Sequence, residues 1–392
     1  MLKEILKEIK PSKEETKEAN EIVRDVLKTI NKVSKGKAIV GGSGAKETWL
    51  SGTKEIDVFV KYPMKLKGKD ISKILEKELK KKFKISKLHG SRDYFQINYK
   101  GFVFEIIPVL NIKNPKDAVN ITDVSPFHAL WVKKHKKYSD DIRLIKQFAK
   151  AQKVYGAESY LRGFSGYVLE ILIIYYKGFN NLIIKASKWK SKVVIDPNKL
   201  LKNPLNELNK SKLVSPLVIV DPVDKTRNAA ASLNDESFDT FVKACKNFLK
   251  KPSKSLFKIK EEKIPEDSIK LKLDIKGKID VVGAKILKLF EFISYKLKKE
   301  GYKFTGGWNL TGVIWFKVSN KRLSSTKVVR GPPLKLKEAV KNFKKKHKKI
   351  SMRNGKIYAK IKRKYPFVVD FLKDLINNKE VKDRVKNIDI SK

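Results

Sequence analysis

Residues 37–60 read KAIVGGSGAKETWLSGTKEIDVFV, and this stretch decides how the first part of the chain folds. Residues 37–40 are apolar enough to predict a short strand that ends at a run of glycines. Glycines let the backbone approach a bulky anion, and a helix that starts there directs its first N–H groups at it. Ser43 adds a hydroxyl, and Lys46 adds a positive charge about one helical turn later.

A second strand is predicted from Glu55 onward, after a turn at residues 51–53. Side chains two residues apart on a strand share a face, so Glu55 and Asp57 point one way while Ile56 and Val58 face the core. Taken alone, the glycine run is most often an ordinary turn, and the acidic pair is most often a solvated strand face. Together, in this order, they predict a site for a divalent metal and a nucleoside triphosphate.

A β-hairpin is predicted at residues 94–108, with Lys100 and Gly101 as its turn. Glu105 interrupts the otherwise apolar second strand of this hairpin. A buried charge is costly unless it is paired or binds a metal. Glu105 is therefore the candidate for a third carboxylate, and the alternative is an edge-strand glutamate that faces solvent. Further on, residues 218–230 predict a strand, a proline turn and the start of a helix.

Composition points to a polyanionic partner. The net charge is +48, and only ten of the 90 basic residues are arginine, so each arginine is informative in this lysine-rich background. Nucleic acid is the first candidate, although a lysine-biased genome or a thermophile-type surface would account for part of the excess. A single cysteine, Cys245, excludes a disulfide framework and a cysteine-based zinc site, and the four scattered histidines form no metal motif.

No apolar run has the length of a membrane span, and the N-terminal residues predict a charged amphipathic helix instead of a signal peptide. A cytoplasmic protein with no membrane partner is therefore expected.

The glycine-serine turn, the Thr-x-Leu-x-Gly pattern at residues 48–52 and the Glu-x-Asp strand resemble the signature of the nucleotidyltransferase superfamily that contains DNA polymerase beta. This resemblance implies a mixed sheet with three carboxylates, two Mg²⁺ ions and nucleotidyl transfer to a hydroxyl. Five later motifs appear in a matching order at residues 125–128, 143–146, 155–158, 162–167 and 221–228. With them, the chain resembles the archaeal (class I) CCA-adding enzymes, the tRNA nucleotidyltransferases, over about residues 36–250.

The resemblance implies an α+β multidomain fold. Residues 1–138 would form a polymerase-beta-like catalytic head with a mixed sheet, and residues 139–254 a helical neck that recognises the nucleotide base. Residues 255–392 would form an α/β body and tail that bind tRNA. The resemblance is weaker in this last part, at residues 328–333 and 353–358, and the region is short for the family. Whether its tail still contacts the tRNA elbow is left open.

The resemblance also implies roles for individual residues. The acids that match Glu55, Asp57 and Glu105 are catalytic and hold two Mg²⁺ ions, although the family more often has aspartate at the third position. The family's triphosphate tyrosine falls at Ser159, beside Tyr160, and which of the two makes the contact is left open. The implied nucleotide-binding residues are Gly42, Ser43, Lys46, Ser125, His128, Lys150, Ser159, Tyr160, Arg227 and Asn228. The implied RNA-binding residues are Arg162, Arg330, Lys348, Arg353, Lys362 and Arg363.

Arg227 resembles the family's base-reading arginine. Arginine only donates hydrogen bonds, and cytosine and adenine both offer a ring nitrogen that accepts, with an amino group beside it. Guanine and uracil present an N–H to the arginine instead, and an unpaired buried polar group costs about 1–3 kcal/mol. Such a pocket takes CTP and ATP without a nucleic-acid template.

The predicted function is addition or repair of the 3′-terminal CCA of tRNA by two-metal transfer to the tRNA 3′-hydroxyl, with release of pyrophosphate. The expected partners are CTP, ATP and the acceptor stem and elbow of tRNA. Members of the family are often dimers, so the resemblance allows a homodimer, but the oligomeric state stays open. One alternative is a poly(A)-type or other RNA terminal nucleotidyltransferase, and another is a catalytically inactive tRNA-binding protein. Whether all of CCA is added, and how specificity switches from C to A, stay open.

Overall fold

The chain folds into two compact units, Met1–Glu261 and Glu262–Lys392. The computed structural model describes residues 1–260, 263–385 and 387–391. Sheets and helices alternate in both units, which confirms the predicted α+β class. The first unit contains α1 (Leu2–Ile9), α2 (Lys13–Val33), β1 (Lys37–Val40), α3 (Gly42–Lys46), β2 (Glu55–Tyr62), α4 (Ile71–Leu79), β3 (Ser86–Leu88), β4 (Tyr94–Tyr99), β5 (Phe102–Leu110), α5 (Ser125–Lys133), α6 (Ser139–Ala151), α7 (Gly166–Tyr176), α8 (Phe179–Ala186), β6 (Val193–Ile195), α9 (Pro204–Glu207), β7 (Leu217–Ile219) and α10 (Asp235–Lys250).

The N-terminal half of the first unit is built on a five-stranded mixed sheet in the order β1-β2-β5-β4-β3. Strands β2 and β5 are parallel, and the predicted hairpin joins β4 to β5 through Lys100 and Gly101, which both have positive φ. Apolar side chains of α2 and α4, such as Ile30 and Leu75, are fully buried with those of the sheet. Val58 is fully buried as predicted, so the opposite side chains of β2 are free to form a site.

The C-terminal half of the first unit is mainly helical. Helices α6, α7, α8 and α10 enclose a second hydrophobic core, in which Phe148 and Phe241 are completely buried. Ile5 of α1 joins this core. The two cores of the unit are separate, one under the sheet and one between the helices.

The helix start predicted near residues 225–230 is wrong. Residues 221–228 form a loop closed by a bridge between Val220 and Asn228, and α10 begins only at Asp235. Side chains of the loop accept its backbone N–H groups: Asp221 from Val223 at 2.9 Å, and Asp224 from Thr226 at 3.0 Å. Such local bonds compete with helical ones, and they hold the chain in an irregular turn.

Within the described residues, no single helix has both the length and the apolar character needed to cross a membrane. Helices α7 and α8 meet that test only as a pair, and they are bent by 97° at the break between them.

The second unit contains two sheets. Its four-stranded antiparallel sheet, β14-β8-β10-β9, shares a core with the long helix α11 and with α13, and its three-stranded sheet is β11-β13-β12. Apolar residues at helical spacing over 279–297 predict a long helix, and the apolar run at 310–318 predicts a strand; both are found with shifted ends. The elements are β8 (Ile269–Leu273), α11 (Ile279–Glu300), β9 (Phe304–Trp308), β10 (Val313–Val318), β11 (Thr326–Pro333), α12 (Lys337–Lys346), β12 (Ile350–Arg353), β13 (Lys356–Lys362), α13 (Val368–Ile376), α14 (Lys379–Lys382) and β14 (Ile388–Ser391).

Candidate active site

The glycine turn between β1 and α3 packs directly against Asp57. The Gly41 N–H donates to the Asp57 backbone carbonyl at 2.8 Å. Gly42 has a φ of +50°, and a Cβ at this position would lie 1.7 Å from Asp57 Oδ2. Glycine alone allows both this backbone conformation and this close approach. The turn predicted to bind phosphate therefore lies beside a carboxylate predicted to bind metal.

The parallel pairing of β2 and β5 brings the predicted carboxylates to neighbouring positions. Asp57 is the register partner of Glu105, and Glu55 lies two residues before Asp57 on the same strand face. Burial and the neighbouring Glu105 raise the pKa of Asp57 to about 6, and Glu55 adds to the rise while Lys46 opposes it. The site therefore carries an excess of negative charge that a bound cation would reduce.

The donor chemistry of these carboxylates fits a divalent cation, since Mg²⁺ and similar ions prefer carboxylate oxygens. The side chains are not yet converged, because among the described residues no three His, Cys, Asp or Glu side chains form a ready metal site. Glu105 Oε1 instead accepts a hydrogen bond from Gln96 Nε2 at 2.9 Å, and Glu55 is exposed. The backbone register places Asp57 directly beside Glu105 on the neighbouring strand.

A cavity of about 360 Å³ opens over the glycine turn, Asp57 and Glu105, a volume in the range of small-molecule sites. Six predicted residues line it: Gly42, Lys46, Asp57, Glu105, Ser125 and His128. Of the predicted residues that the structure describes, its wall does not include Glu55, Ser43, Lys150, Ser159, Tyr160, Arg227 or Asn228. Ser43 is a neighbour of Gly42 in the turn. Lys150 is half-buried, with its ammonium 5.2 Å from the ring centre of Tyr155, and Glu55 acts on it electrostatically.

Arg92 and Tyr167 also line the cavity, and sequence reasoning missed both. Arg92 Nη1 donates to Asp123 Oδ1 at 2.5 Å and to the Pro108 carbonyl at 3.0 Å, which fixes the loop before β4 against the end of β5. Arginine is rare in this chain, and this rarity indicates a specific role for Arg92 as much as for Arg227. Tyr167 is the last residue of the motif at residues 162–167, but its position in the cavity wall depends on tertiary structure that the sequence does not show.

Lys46 lines the cavity and also takes part in a buried ion pair. Its Nζ lies 2.7 Å from Glu170 Oε2, and Lys146 Nζ lies 2.7 Å from Glu170 Oε1. Thr48 Oγ1 donates to the same Oε1 at 3.0 Å. Burial alone would raise the pKa of Glu170, but the two lysines outweigh it and lower the pKa to about 2. Helix α3, which ends at Lys46, is thus joined to helix α7 by this ion pair.

Helix α6 holds the segment that follows the glycine turn. Arg143 Nη2 donates to the Glu47 carbonyl at 2.7 Å, and its Nε donates to the Trp49 carbonyl at 3.0 Å. Lys146 Nζ donates to Thr48 Oγ1 at 2.9 Å. One helix therefore makes hydrogen bonds to three successive residues, 47–49. This explains why the motif at residues 143–146 accompanies the glycine turn.

Arg227 and His128 meet at one carboxylate. Arg227 Nη1 donates to Asp221 Oδ2 at 2.9 Å, and His128 Nε2 lies 3.1 Å from the same oxygen. Tyr167 OH donates to Asp221 Oδ1 at 3.0 Å, and its ring stacks on His128 with 4.2 Å between centroids. The predicted base reader and a predicted triphosphate ligand are therefore brought together by Asp221.

Asn228 is buried, and its amide serves the loop. Its Oδ1 accepts from the backbone N–H groups of Ile219 and Ala230, both at 2.9 Å, and its Nδ2 donates to the Lys212 carbonyl at 2.8 Å. The bond from Ile219 attaches the end of the loop that carries Arg227 to β7. Asn228 thus lies next to the predicted base reader with its own polar atoms engaged.

Most of the predicted RNA-binding residues lie at the surface. Arg162, Arg330, Lys348, Arg353 and Lys362 are exposed. Arg330 is the register partner of Tyr358, so it shares a face of the three-stranded sheet with Arg353 and Lys362. Arg363 differs, since its Nη1 donates to the Glu300 carbonyl at 2.8 Å and lies 3.1 Å from Glu300 Oε2.

Comparison with known proteins agrees with this geometry. The family described as tRNA nucleotidyltransferase, second domain, matches residues 140–258. The CCA-adding enzyme of Nanoarchaeum equitans is 38% identical over 388 residues, which cover 94% of this chain and 97% of that relative. The CCA-adding enzyme of Sulfurisphaera tokodaii is 32% identical over 384 residues, which cover 92% of this chain and 88% of that relative.

Two solved structures share the fold at 16% identity. A cytoplasmic RNA terminal U-transferase superimposes with a TM-score of 0.51, over 67% of this chain and 98% of its own. The Cid1 poly(U) polymerase superimposes with a TM-score of 0.52, over 66% of this chain and 98% of its own. These likenesses confirm the nucleotidyltransferase fold. Because relatives more than 30% identical cover nearly the whole chain, this protein belongs to the family of archaeal CCA-adding enzymes, the tRNA nucleotidyltransferases.

Proposed function

We propose that this enzyme adds or repairs the 3′-terminal CCA of tRNA with CTP and ATP, without a nucleic-acid template and with release of pyrophosphate. The carrying observation is the cavity in which Asp57 and Glu105 face the glycine turn, in a chain of the CCA-adding family. A nucleotidyltransferase of this kind uses nucleoside triphosphates and a divalent metal.

Glu55, Asp57 and Glu105 are proposed to hold two Mg²⁺ ions. Bound there, the ions would supply Lewis-acid activation of the tRNA 3′-hydroxyl and neutralise charge on the leaving pyrophosphate. The chain's own contribution is to keep acidic side chains close together on a rigid strand pair. The raised pKa of Asp57, caused first by burial and then by Glu105, shows that its negative charge is unfavourable there without a cation.

The triphosphate is proposed to lie between the glycine turn and helix α5. The hydroxyls of Ser43 and Ser125 and the imidazole of His128 can donate to phosphate oxygens. Lys46 and Lys150 add positive charge, and Ser159 or Tyr160 would contact the triphosphate from the loop that follows α6. Gly42 leaves room because any side chain there would collide with Asp57.

The base is proposed to be read by Arg227. Nη1 is held by Asp221, and within the described residues its other guanidinium N–H groups make no hydrogen bond to the chain. They are free to donate to the ring nitrogen of cytosine or adenine, and guanine and uracil offer an N–H at that place. Asn228 supports this role from inside the loop.

The tRNA is proposed to contact the exposed basic residues Arg162, Arg330, Lys348, Arg353 and Lys362, together with Arg363, which directly follows β13, the central strand of the three-stranded sheet. Salt-dependent contacts to phosphates are what such residues provide. We also propose a division into a head (1–138), a neck (139–254) and a body and tail (255–392). The two cores of the first unit support it in part, since Ile5 and Val132 of the head pack in the core of the neck. Contact with the acceptor stem and elbow, a homodimer and a cytoplasmic location are part of the proposal.

The test is incorporation of labelled CTP, ATP, UTP or GTP into tRNA transcripts that lack CCA, CA or A, with Mg²⁺ present. Two additions of C followed by one of A support the proposal, and addition of one type only would mean that the enzyme builds part of the end. Processive addition of A would support a poly(A)-type enzyme. Tight tRNA binding without any incorporation would support an inactive tRNA-binding protein.

A further inference from the structure

Asp221 is a completely buried carboxylate to which the sequence assigned no role. Its Oδ1 accepts from the Val223 N–H at 2.9 Å and from Tyr167 OH at 3.0 Å. Its Oδ2 accepts from Arg227 Nη1 at 2.9 Å and lies 3.1 Å from His128 Nε2. Four groups from three separate segments thus converge on one side chain.

The surroundings keep this carboxylate charged and fixed. Burial alone would raise the pKa of Asp221, but His128, the Val223 N–H and Arg227 outweigh burial and hold the pKa below its ordinary value. A buried anion is stable only when donors satisfy it. The Val223 N–H and Tyr167 OH fix one oxygen, which leaves the other to act on Arg227 and His128.

Arg227 gains orientation from this contact. It is half-exposed, and a long, partly exposed arginine loses conformational entropy when it is held in one rotamer. The fixed Oδ2 restricts the guanidinium before any nucleotide arrives, so less of this cost falls on binding. With Nη1 held, the direction of the remaining N–H groups is set as well, because the guanidinium is planar.

His128 lies close to the same oxygen: its Nε2 is 3.1 Å from Asp221 Oδ2, a charge contact without hydrogen-bond geometry. It lines the cavity beside the glycine turn, and its ring stacks on Tyr167, which is itself bonded to Asp221. A shift of Arg227 that displaced the carboxylate would therefore also displace a residue at the triphosphate side.

We propose that Asp221 is a positioning residue for nucleotide selection, which holds Arg227 and His128 on one oxygen so that base and triphosphate are recognised by a single rigid group. This inference rests on the proposed function and adds a residue outside the nucleotide's own contacts. A wrong base that rotates the guanidinium then also weakens alignment of the triphosphate, so discrimination appears in kcat as well as in KM.

The first test is Asp221→Asn, measured as kcat/KM for CTP and for UTP on tRNA lacking CCA. The substitution keeps the size of the side chain and one oxygen for Tyr167 and Val223, but removes the charge that faces Arg227 and His128. We expect the preference for CTP over UTP to fall by about tenfold or more, the scale of one lost polar contact, with KM for tRNA unchanged.

A double-mutant cycle separates positioning from general loosening. If Asp221 acts through Arg227, the Asp221→Asn, Arg227→Ala double variant discriminates no worse than Arg227→Ala alone. The matched control is Asp196→Asn, because Asp196 lies in the same unit and its Oδ2 accepts the Leu201 N–H at 2.9 Å. This control should keep the wild-type preference for CTP.

Melting curves show whether Asp221→Asn folds. If it does not, Asp221→Glu is used in the same cycle: it keeps the charge but moves it by one methylene, and a smaller loss with the same non-additivity is expected. An unchanged CTP preference in a folded Asp221 variant, or additive effects in the cycle, would overturn the inference while wild-type CCA addition still stands. A wild-type protein that adds neither C nor A would overturn the proposed function, and this inference with it.

Discussion

Asp57 and Glu170 are two carboxylates near Lys46, and the fold treats them in opposite ways. Asp57 is surrounded by further acids, and burial together with Glu105 raises its pKa to about 6. Glu170 is more deeply buried, yet Lys146 and Lys46 more than offset its burial and lower its pKa to about 2. Lys46 and Lys146 offset the charge of the first carboxylate only in part, whereas both lysines pair directly with the second.

The contrast shows that burial alone does not mark a functional acid. An unneutralised carboxylate is costly, so a fold keeps one only where a ligand compensates for it. A buried carboxylate that pairs with two ammonium groups already has its charge neutralised within the protein, and it serves to join structural elements. By this criterion we expect the strand pair β2 and β5 to form the reactive wall of the cavity, with Glu170 and its two lysines as a structural framework.

The reactive wall should fail first in activity. We expect Asp57→Asn to lower single-turnover incorporation of CTP by about 10⁴-fold, the scale of removing a catalytic group. A readout that does not depend on turnover is the rise in melting temperature on adding Mg²⁺ with CTP, which should shrink in the variant. Asp196→Asn serves as the matched control, and near-normal incorporation by Asp57→Asn would remove Asp57 from the proposed metal site.

The framework should fail in stability. Glu170→Gln leaves Lys46 and Lys146 without their shared counter-charge, and breaking a buried pair in this way costs about 3–5 kcal/mol of unfolding free energy. Chemical denaturation measures this cost. Adding Lys146→Met should recover part of it, because one uncompensated charge is then gone. A loss below about 1 kcal/mol would mean that water already screens the group, and the contrast with Asp57 would lose its basis.

The reactive wall was largely predictable because its parts are close in sequence. Gly42 and Asp57 belong to one stretch of strand, turn and strand. Glu105 is recognisable in the sequence as a charged residue in an otherwise apolar strand. The hairpin at Lys100 and Gly101 was equally local. Each of these predictions used only a periodicity or a turn rule, and such rules act over a few residues.

The framework was hidden because its partners are distant. Lys46 and Glu170 are 124 residues apart, and Tyr167 and Asp221 are 54 apart. In the sequence Glu170 is one acid in an apolar helix, and Asp221 is one letter of a proline turn. The loop at residues 221–228 is also where the predicted helix start is wrong, because the side chains of Asp221 and Asp224 accept hydrogen bonds from its backbone. Only tertiary contacts show which buried acids are neutralised.

The pH dependence of stability sharpens the contrast, because the two acids act with opposite signs. Glu170, with its lowered pKa, contributes stability that is present above about pH 4.5 and is lost as the pH falls through about 2. Tyr155 also acts electrostatically on Glu170, and burial raises the pKa of Tyr155, so it keeps its proton in this range. The difference in unfolding free energy between wild type and Glu170→Gln should therefore shrink on acidification by about 3 kcal/mol at most.

Asp57 provides the internal check on that experiment. Its raised pKa contributes stability that is present below about pH 4 and is lost as the pH rises through about 6. This contribution is the same in wild type and in Glu170→Gln, so it cancels from their difference. A difference that stayed constant from neutral pH down to the acid limit would contradict the assignment of charge to Glu170.

The smallest effect is expected at Glu105, where the family more often has aspartate. If negative charge beside Asp57 is what matters, Glu105→Asp should stay within about threefold of wild type, whereas Glu105→Gln should lose about 10²-fold in incorporation rate. Both variants alter the hydrogen bond from Gln96 Nε2, which is 2.9 Å long, so Gln96→Ala controls for its loss. Equal damage from the Asp and Gln variants would make the length of the side chain the critical property. Glu105 would then resemble Glu170, a side chain kept for what it joins, and the reactive wall would rest on Glu55 and Asp57.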